Sequence, residues 1–190
     1  MEFGVCFKGE LSPKRLRRLV QQLEAGGFDY CWFYDSHILW RDCYVAMAMC
    51  IEHTSRIRFG PCVTNPGVRE WSVAASLFAA LALQSEGRFD IGLGRGDSSL
   101  RVMGKRPANL RSMVEFGQQV KAMVRGEEVT YPDCPSSVKF SWAAGHDLPL
   151  WIAAYGPKAL KSAGEYGDGL ILQIAEPEIC RWLATQARLA

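Results

Sequence analysis

Three consecutive stretches decide how this sequence folds: Ile57-Arg-Phe-Gly-Pro-Cys-Val-Thr64, the apolar run from Trp71 to about Ser85, and Phe89-Asp-Ile-Gly-Leu93. The first and last are short apolar runs without clean alternation, as expected of strands buried on both faces. The middle one is long enough only for a helix. Strand, helix, strand in that order is a βα unit, and the unit recurs on either side.

Upstream, Phe3-Gly-Val-Cys-Phe7 reads as a strand. Ser12-Pro13 then opens a helix, with Ser as N-cap and Pro at the first helical position. Leu16, Leu19, Val20 and Leu23 form its apolar face, Gly26-Gly27 stops it, and Lys14, Arg15, Arg17 and Arg18 make a solvated face. Tyr30-Cys-Trp-Phe-Tyr34 is a second strand. Asp42 caps a second helix running to about His53.

Downstream, Leu110, Met113, Gly117, Val120 and Val124 mark a fourth long helix. Leu150-Trp-Ile-Ala-Ala154 is a fifth strand, and Gly156-Pro157 starts a short helix through Leu160 and Ala163. Gly169 to Ile174 is a sixth strand, and Pro177 opens a last helix. Val129-Thr-Tyr and Val138 to Trp142 flank Pro132-Asp-Cys-Pro-Ser-Ser, which predicts a small hairpin inserted within residues 127–147. No repeat and no low-complexity linker interrupts residues 1–190, so the chain reads as a single domain.

Alternating strands and helices imply a parallel sheet, either a (β/α)8 TIM barrel or a doubly wound open sheet. His37, Thr64, Asn65, Arg95, Asp97 and Gln173 all fall at or just past strand C-termini. A barrel gathers active sites along that whole rim, whereas a doubly wound sheet concentrates them at one switch point. The barrel is therefore expected. A full barrel needs about 250 residues, and only six strands are counted, so two βα units are expected to be missing at the C-terminus.

The chain has 190 residues, 48% of them apolar and 22% charged, with a formal net charge of +2. That composition is globular and gives no reason to expect a nucleic-acid or membrane partner. The N-terminus has no basic-then-apolar secretory pattern, and no apolar run reaches the roughly 18 residues of a spanning helix. Seven cysteines, none in C-x-x-C spacing, argue against zinc and thioredoxin-like readings; no metal is expected. A reducing, cytoplasmic setting is expected.

Four rim segments could carry chemistry. Asp35-Ser-His37 offers a histidine for hydrogen bonding or proton transfer. Gly60-Pro-Cys-Val-Thr-Asn-Pro66 has prolines bracketing a strand end, which suggests a bulge. Gly92-Leu-Gly-Arg-Gly-Asp97 lets backbone approach a ligand closely, but is neither a Walker loop nor G-x-G-x-x-G. Ala153-Ala-Tyr-Gly-Pro-Lys158 ends a strand at a helix start whose free N–H groups suit an anion. Each of these segments, taken alone, is also compatible with ordinary turn and capping chemistry.

Taken in order, these segments, with Gly87 to Ser98 and Ala163-Gly-Glu-Tyr-Gly-Asp-Gly169, resemble the bacterial luciferase-like superfamily of flavin- and deazaflavin-dependent oxidoreductases. The nearest likeness is to its methylene-tetrahydromethanopterin reductase branch. The resemblance implies a barrel binding FMN or coenzyme F420 at its C-terminal rim, and an enzyme that transfers hydride or activates oxygen. It implies His37 near the ring as the catalytic group, and Cys62-Val63 as a bulge behind the ring, often with a cis peptide bond. Thr64 and Asp97 would lie beside the cofactor, and Ala154, Tyr155 and Gly156 would meet its phosphate-bearing side chain. A small-molecule substrate and a homodimer are implied as well. The competing expectation is a truncated, non-catalytic barrel that binds a ligand or partner chain.

Overall fold

The computed structural model describes residues 1–131 and 135–189. Six parallel strands follow the chain: β1 (Gly4–Phe7), β2 (Tyr30–Phe33), β3 (Arg58–Pro61), β4 (Ile91–Leu93), then, past a short hairpin of β5 (Val129–Thr130) and β6 (Ser137–Val138), β7 (Leu150–Ala153) and β8 (Gly169–Ile171). β1 pairs with β2, and β2 with β3, in continuous register from Gly4↔Tyr30↔Arg58 to Phe7↔Phe33↔Pro61. β4 pairs with β7, and β7 with β8, through Gly92↔Trp151↔Gly169. Single parallel bridges, Phe59↔Phe89 and Thr64↔Leu93, join the two halves. The order β1-β2-β3-β4-β7-β8 puts the first strand at an edge and every strand beside its successor. A doubly wound sheet would put it in the middle, so that alternative is excluded. β5 and β6 form their own antiparallel ladder. The turn residues Pro132, Asp133 and Cys134 lie outside the described residues.

The helices cover one face. α1 (Pro13–Ala25) is capped by Ser12, whose hydroxyl accepts from Arg15 N, and buries Leu16 and Val20. Asp42 caps α2 (Cys43–Ile51) through Tyr44 N and Val45 N. Glu70 caps α3 (Trp71–Gln84), although Glu is not a preferred N-cap. A five-residue helix after β4, α4 (Asp97–Arg101), has no counterpart among the elements expected from sequence. α5 (Leu110–Val124), α6 (Pro157–Tyr166) and α7 (Pro177–Arg188) complete the set. Strand residues facing the helices, including Cys31, Phe33, Phe59, Ile91 and Ile152, are at most 1% exposed and form the core with α2, α3 and α5.

Parallel neighbours in register share a face, so the alternate residues point into a hollow on the other side. There Tyr30 and Trp32 stack at 5.4 Å, with Trp151 edge-on to both. Arg58 Nε donates to Asp90 Oδ1 at 2.8 Å, and Trp151 Nε1 donates to Asp90 Oδ2 at 2.8 Å. This aromatic and ionic layer plugs the N-terminal end of the hollow and leaves the C-terminal end open. Among the described residues no helix is long and apolar enough to cross a membrane.

Candidate active site

Five strand ends converge on one cleft of about 340 Å3. Its wall comes from Tyr34 to Ser36 after β2, Cys62 and Val63 after β3, Gly94 to Ser99 after β4, Ala153 to Gly156 after β7, and Ile171 with Gln173 after β8.

The segment after β3 is built by a change of partner. Cys62 N still donates to Phe33 O on the β2 side at 2.7 Å. Two residues later Thr64 N donates to Gly92 O, and Gly94 N returns to Thr64 O, both at 2.8 Å. Between these bonds the Cys62–Val63 peptide is cis, and Val63 turns toward the cleft. A side chain at position 94 would close this space, since a Cβ built on Gly94 lies 2.5 Å from Val63 Cγ2.

Behind that wall sits a buried ion cluster. Asp35 is 4% exposed. Its Oδ2 accepts from Tyr44 Oη and Thr64 Oγ1, each at 2.8 Å, and Arg69 Nη1 donates to both of its oxygens at 3.0 and 3.2 Å. Arg69 Nη2 reaches Asp42 at 2.8 Å, and its guanidinium lies 4.5 Å above the Tyr44 ring. Burial, followed by the Asp35 charge, pushes the Tyr44 hydroxyl up. Burial works against the Arg69 charge, but Asp35, Tyr44 and Asp42 together hold it above its ordinary value. Asn65, also buried, donates to Ser99 Oγ at 2.9 Å and so fixes α4 to the same wall.

On the far side, Gly156 precedes Pro157 at the start of α6, and no side chain caps that helix. Its first-turn N–H groups are therefore open to a ligand. Tyr155 Oη accepts the Gln173 N–H, which links the ends of β7 and β8.

Six of the eight residues named from sequence line this cleft: Cys62, Val63, Asp97, Ala154, Tyr155 and Gly156. Two do not. Thr64 is 1% exposed and stands behind the wall, its hydroxyl engaged by Asp35. His37 is exposed and off the lining, because Leu39 N and Trp40 N both bond back to Ser36 O and the turn carries His37 outward. Ser36 lines the cleft in its place. Sequence reasoning also passed over Tyr34, which the alternation Tyr30, Trp32, Tyr34 could have placed on the hollow side. Asp35 carried no such local signal, since Arg69 is 34 residues away. Arg95, on the rim, turns its Nε away to Ala108 O at 2.6 Å. Among the described residues no group of three or more His, Cys, Asp or Glu side chains is placed to hold a metal ion.

Known proteins share this architecture. The chain is 30% identical over 185 residues to the 5,10-methylenetetrahydromethanopterin reductase of Archaeoglobus fulgidus, covering 94% of this chain and 54% of that protein. It is 28% identical over 189 residues to an F420-dependent hydroxymycolic acid dehydrogenase of Mycobacterium tuberculosis, covering 91% and 52%. The chain thus spans about half the length of the curated relatives it matches. The solved coenzyme F420 dependent tetrahydromethanopterin reductase of Methanopyrus kandleri superposes with a TM-score of 0.86 at 24% identity, over 98% of this chain and 59% of that one. That likeness makes the six βα units of this chain part of a (β/α)8 barrel fold. A sequence model described as luciferase-like monooxygenase matches residues 1–190, and with the strands and rim loops following the same succession, the chain belongs to that family.

Proposed function

We propose that the cleft binds the ring of a deazaflavin or flavin, coenzyme F420 or FMN, and that the protein is an oxidoreductase acting on a small organic molecule. The observation that carries this reading is the convergence of five strand ends on one cleft whose wall is apolar where a flat ring would lie, with the open N–H groups of Lys158 and Ala159 at one side.

The residues present fit such a group. Val63, Ala153 and Ile171 offer an apolar wall that excludes water from a ring face. Gly94 and Gly96 keep the facing backbone free of side chains, and the uncapped start of α6 suits a phosphate. When bound, such a cofactor supplies two-electron chemistry, by hydride transfer or, as a reduced flavin, by activating oxygen. Of the two carboxyls on the cleft wall, Asp97 keeps an oxygen free and would hold or deliver a proton through Oδ2, its Oδ1 being shared with Arg101 at 3.1 Å. Asp35 cannot, because its oxygens are taken by three donors. His37 keeps a role only at the outer edge, beyond Ser36. The F420-dependent relative favours coenzyme F420 over FMN.

A homodimer in a reducing cytoplasmic setting completes the proposal. Its support is the apolar outer surface of α2 and α3, where Val45, Val73 and Leu83 are exposed, and the free state of six cysteines among the described residues. The deciding experiment is a fluorescence titration with reduced and oxidised F420 and with FMN. Saturable binding of either supports the reading; binding of neither overturns it and leaves a ligand- or partner-binding barrel.

A further inference from the structure

A second hollow, of about 200 Å3, lies on the rim beside the cleft and takes no part in the proposed chemistry. Pro66, Leu100 and Ala108 give it an apolar lining, and Lys105 and Arg106 complete the wall. α4 is the partition between the two spaces, since Ser99 lines the cleft and Leu100 lines the hollow. The loop that carries the two cations is pinned at both ends. Lys105 N donates to Leu100 O at 2.9 Å, Ala108 N donates to Arg95 O at 2.9 Å, and Arg95 Nε donates back to Ala108 O at 2.6 Å. Gly104 makes the turn into this loop at a φ of 70°, which other residues rarely adopt. The cations are thus held in place before any ligand arrives, which lowers the ordering cost of binding.

The charge here is unbalanced. Arg95 to Glu115 holds five cations and two carboxylates. Both carboxylates are taken on their own helices, Asp97 by Arg101 and Glu115 by Arg111. The local excess is larger than the net +2 of the whole chain. Among the described residues Lys105 and Arg106 make no side-chain ion pair or hydrogen bond, and the Arg95 side chain bonds only Ala108 O. Ser112, also on the wall, donates its hydroxyl proton to Asn109 Oδ1 at 3.1 Å, so the open side-chain donors of the hollow are its two cations. Like charges gathered at a concave surface repel one another and focus their field on an anion that enters. A bare phosphate would leave the apolar lining unused; an organic carboxylate uses both the charge and the lining.

We propose that this hollow binds a small organic acid, its carboxylate on Lys105 and Arg106 and its apolar body against Leu100 and Pro66, and that it thereby selects an anionic substrate for the cleft across α4. That the acid is the substrate rests on the function proposed above; that the hollow holds an acid does not.

The test is calorimetric titration of the protein, without added cofactor, with hexanoate, with its uncharged amide hexanamide, and with inorganic phosphate. Hexanoate is expected to bind saturably, and the other two about tenfold more weakly or worse. Lys105→Gln combined with Arg106→Gln should weaken hexanoate by about tenfold or more, through loss of the charge-assisted contacts. The melting midpoint should stay unchanged, because both side chains are exposed. Exchanging the two cations, Lys105→Arg with Arg106→Lys, should keep most of the affinity. Three results overturn the proposal: no saturable binding of hexanoate, hexanamide or phosphate binding as tightly as hexanoate, or unchanged hexanoate binding in the double glutamine variant. That variant should bind F420 and FMN as the parent protein does. A cofactor affinity that falls in step with that for hexanoate assigns the cations to the cofactor and also overturns the proposal. If hexanoate behaves as expected and neither cofactor binds the parent protein, the ring site is lost and the acid site stands.

Discussion

Thr64 Oγ1 and Asp35 Oδ2 lie 2.8 Å apart, and that bond ties the turn after β3 to the end of β2. Both residues are buried, and Asp35 also holds Tyr44 and Arg69. Asp35→Ala leaves Arg69 with Asp42 as its remaining carboxylate and strands two hydroxyls, and should destabilise the fold by about 3 kcal/mol in urea unfolding. Asp35→Asn keeps the shape and loses the charge, for about 1–3 kcal/mol. The wall carrying Val63 loosens in both, so cofactor affinity should fall even in the milder variant under conditions where it is fully folded.

Gly94→Ala changes the shape of the wall directly. The new methyl meets Val63 Cγ2 at 2.5 Å and Ala153 Cβ at 3.7 Å. Val63 must move, at an overpacking cost of about 1–3 kcal/mol. Affinity for the ring should drop about tenfold, equivalent to roughly 1.4 kcal/mol, as measured by the same fluorescence titration.

The Arg58–Asp90 pair makes a pH-dependent prediction. Asp90 has no exposed side-chain surface, whereas that of Arg58 is 30% exposed. Burial raises the Asp90 carboxyl above its ordinary 3.8, and Arg58 and Trp151 pull it partly back. Arg58→Met removes the larger pull and leaves a buried charge unpaired, a loss of about 3–5 kcal/mol. A raised carboxyl is penalised only when ionised. The loss should therefore be full at pH 8 and shrink as the pH falls through the raised value, as urea unfolding at several pH values would report.

Glu24 has the opposite sign. Its Oε1 accepts from the backbone N–H groups of Ser55 at 2.9 Å, Arg56 at 2.6 Å and Ile57 at 2.9 Å. Partial burial pushes this carboxyl up, and the three donors push it down further, to a net position below 4.5. Its contribution is complete above the unfolded value and is lost as pH falls through the lower folded one. Glu24→Gln should cost about 1 kcal/mol at neutral pH and progressively less in acid, in the same unfolding series.

The fold was legible because its signals are local. Strand periodicity and the caps at Ser12 and Asp42 are set by residues within a few positions of one another. The bulge at Cys62-Val63 was legible for the same reason, bracketed by Pro61 and Pro66. What sequence reasoning missed is set by partners far along the chain. Asp35 meets Arg69 across 34 residues. His37 stands exposed and off the cleft lining because two N–H groups bond to Ser36 O and turn it outward, and the motif gives no sign of that turn. The short α4 escaped because five residues are too few to display a helical period.

The indoles of Trp32 and Trp151 lie 5.9 Å apart, directly beneath the cleft, and the strand bearing Trp151 runs on into the lining residues Ala153 and Ala154. The molecule thus carries its own optical gauge. Any absorbing guest seated over that pair should dim its ultraviolet emission by energy transfer, so occupancy can be followed in unlabelled protein, with the double variant Trp32→Phe/Trp151→Phe as the reference for the emission of the remaining indoles.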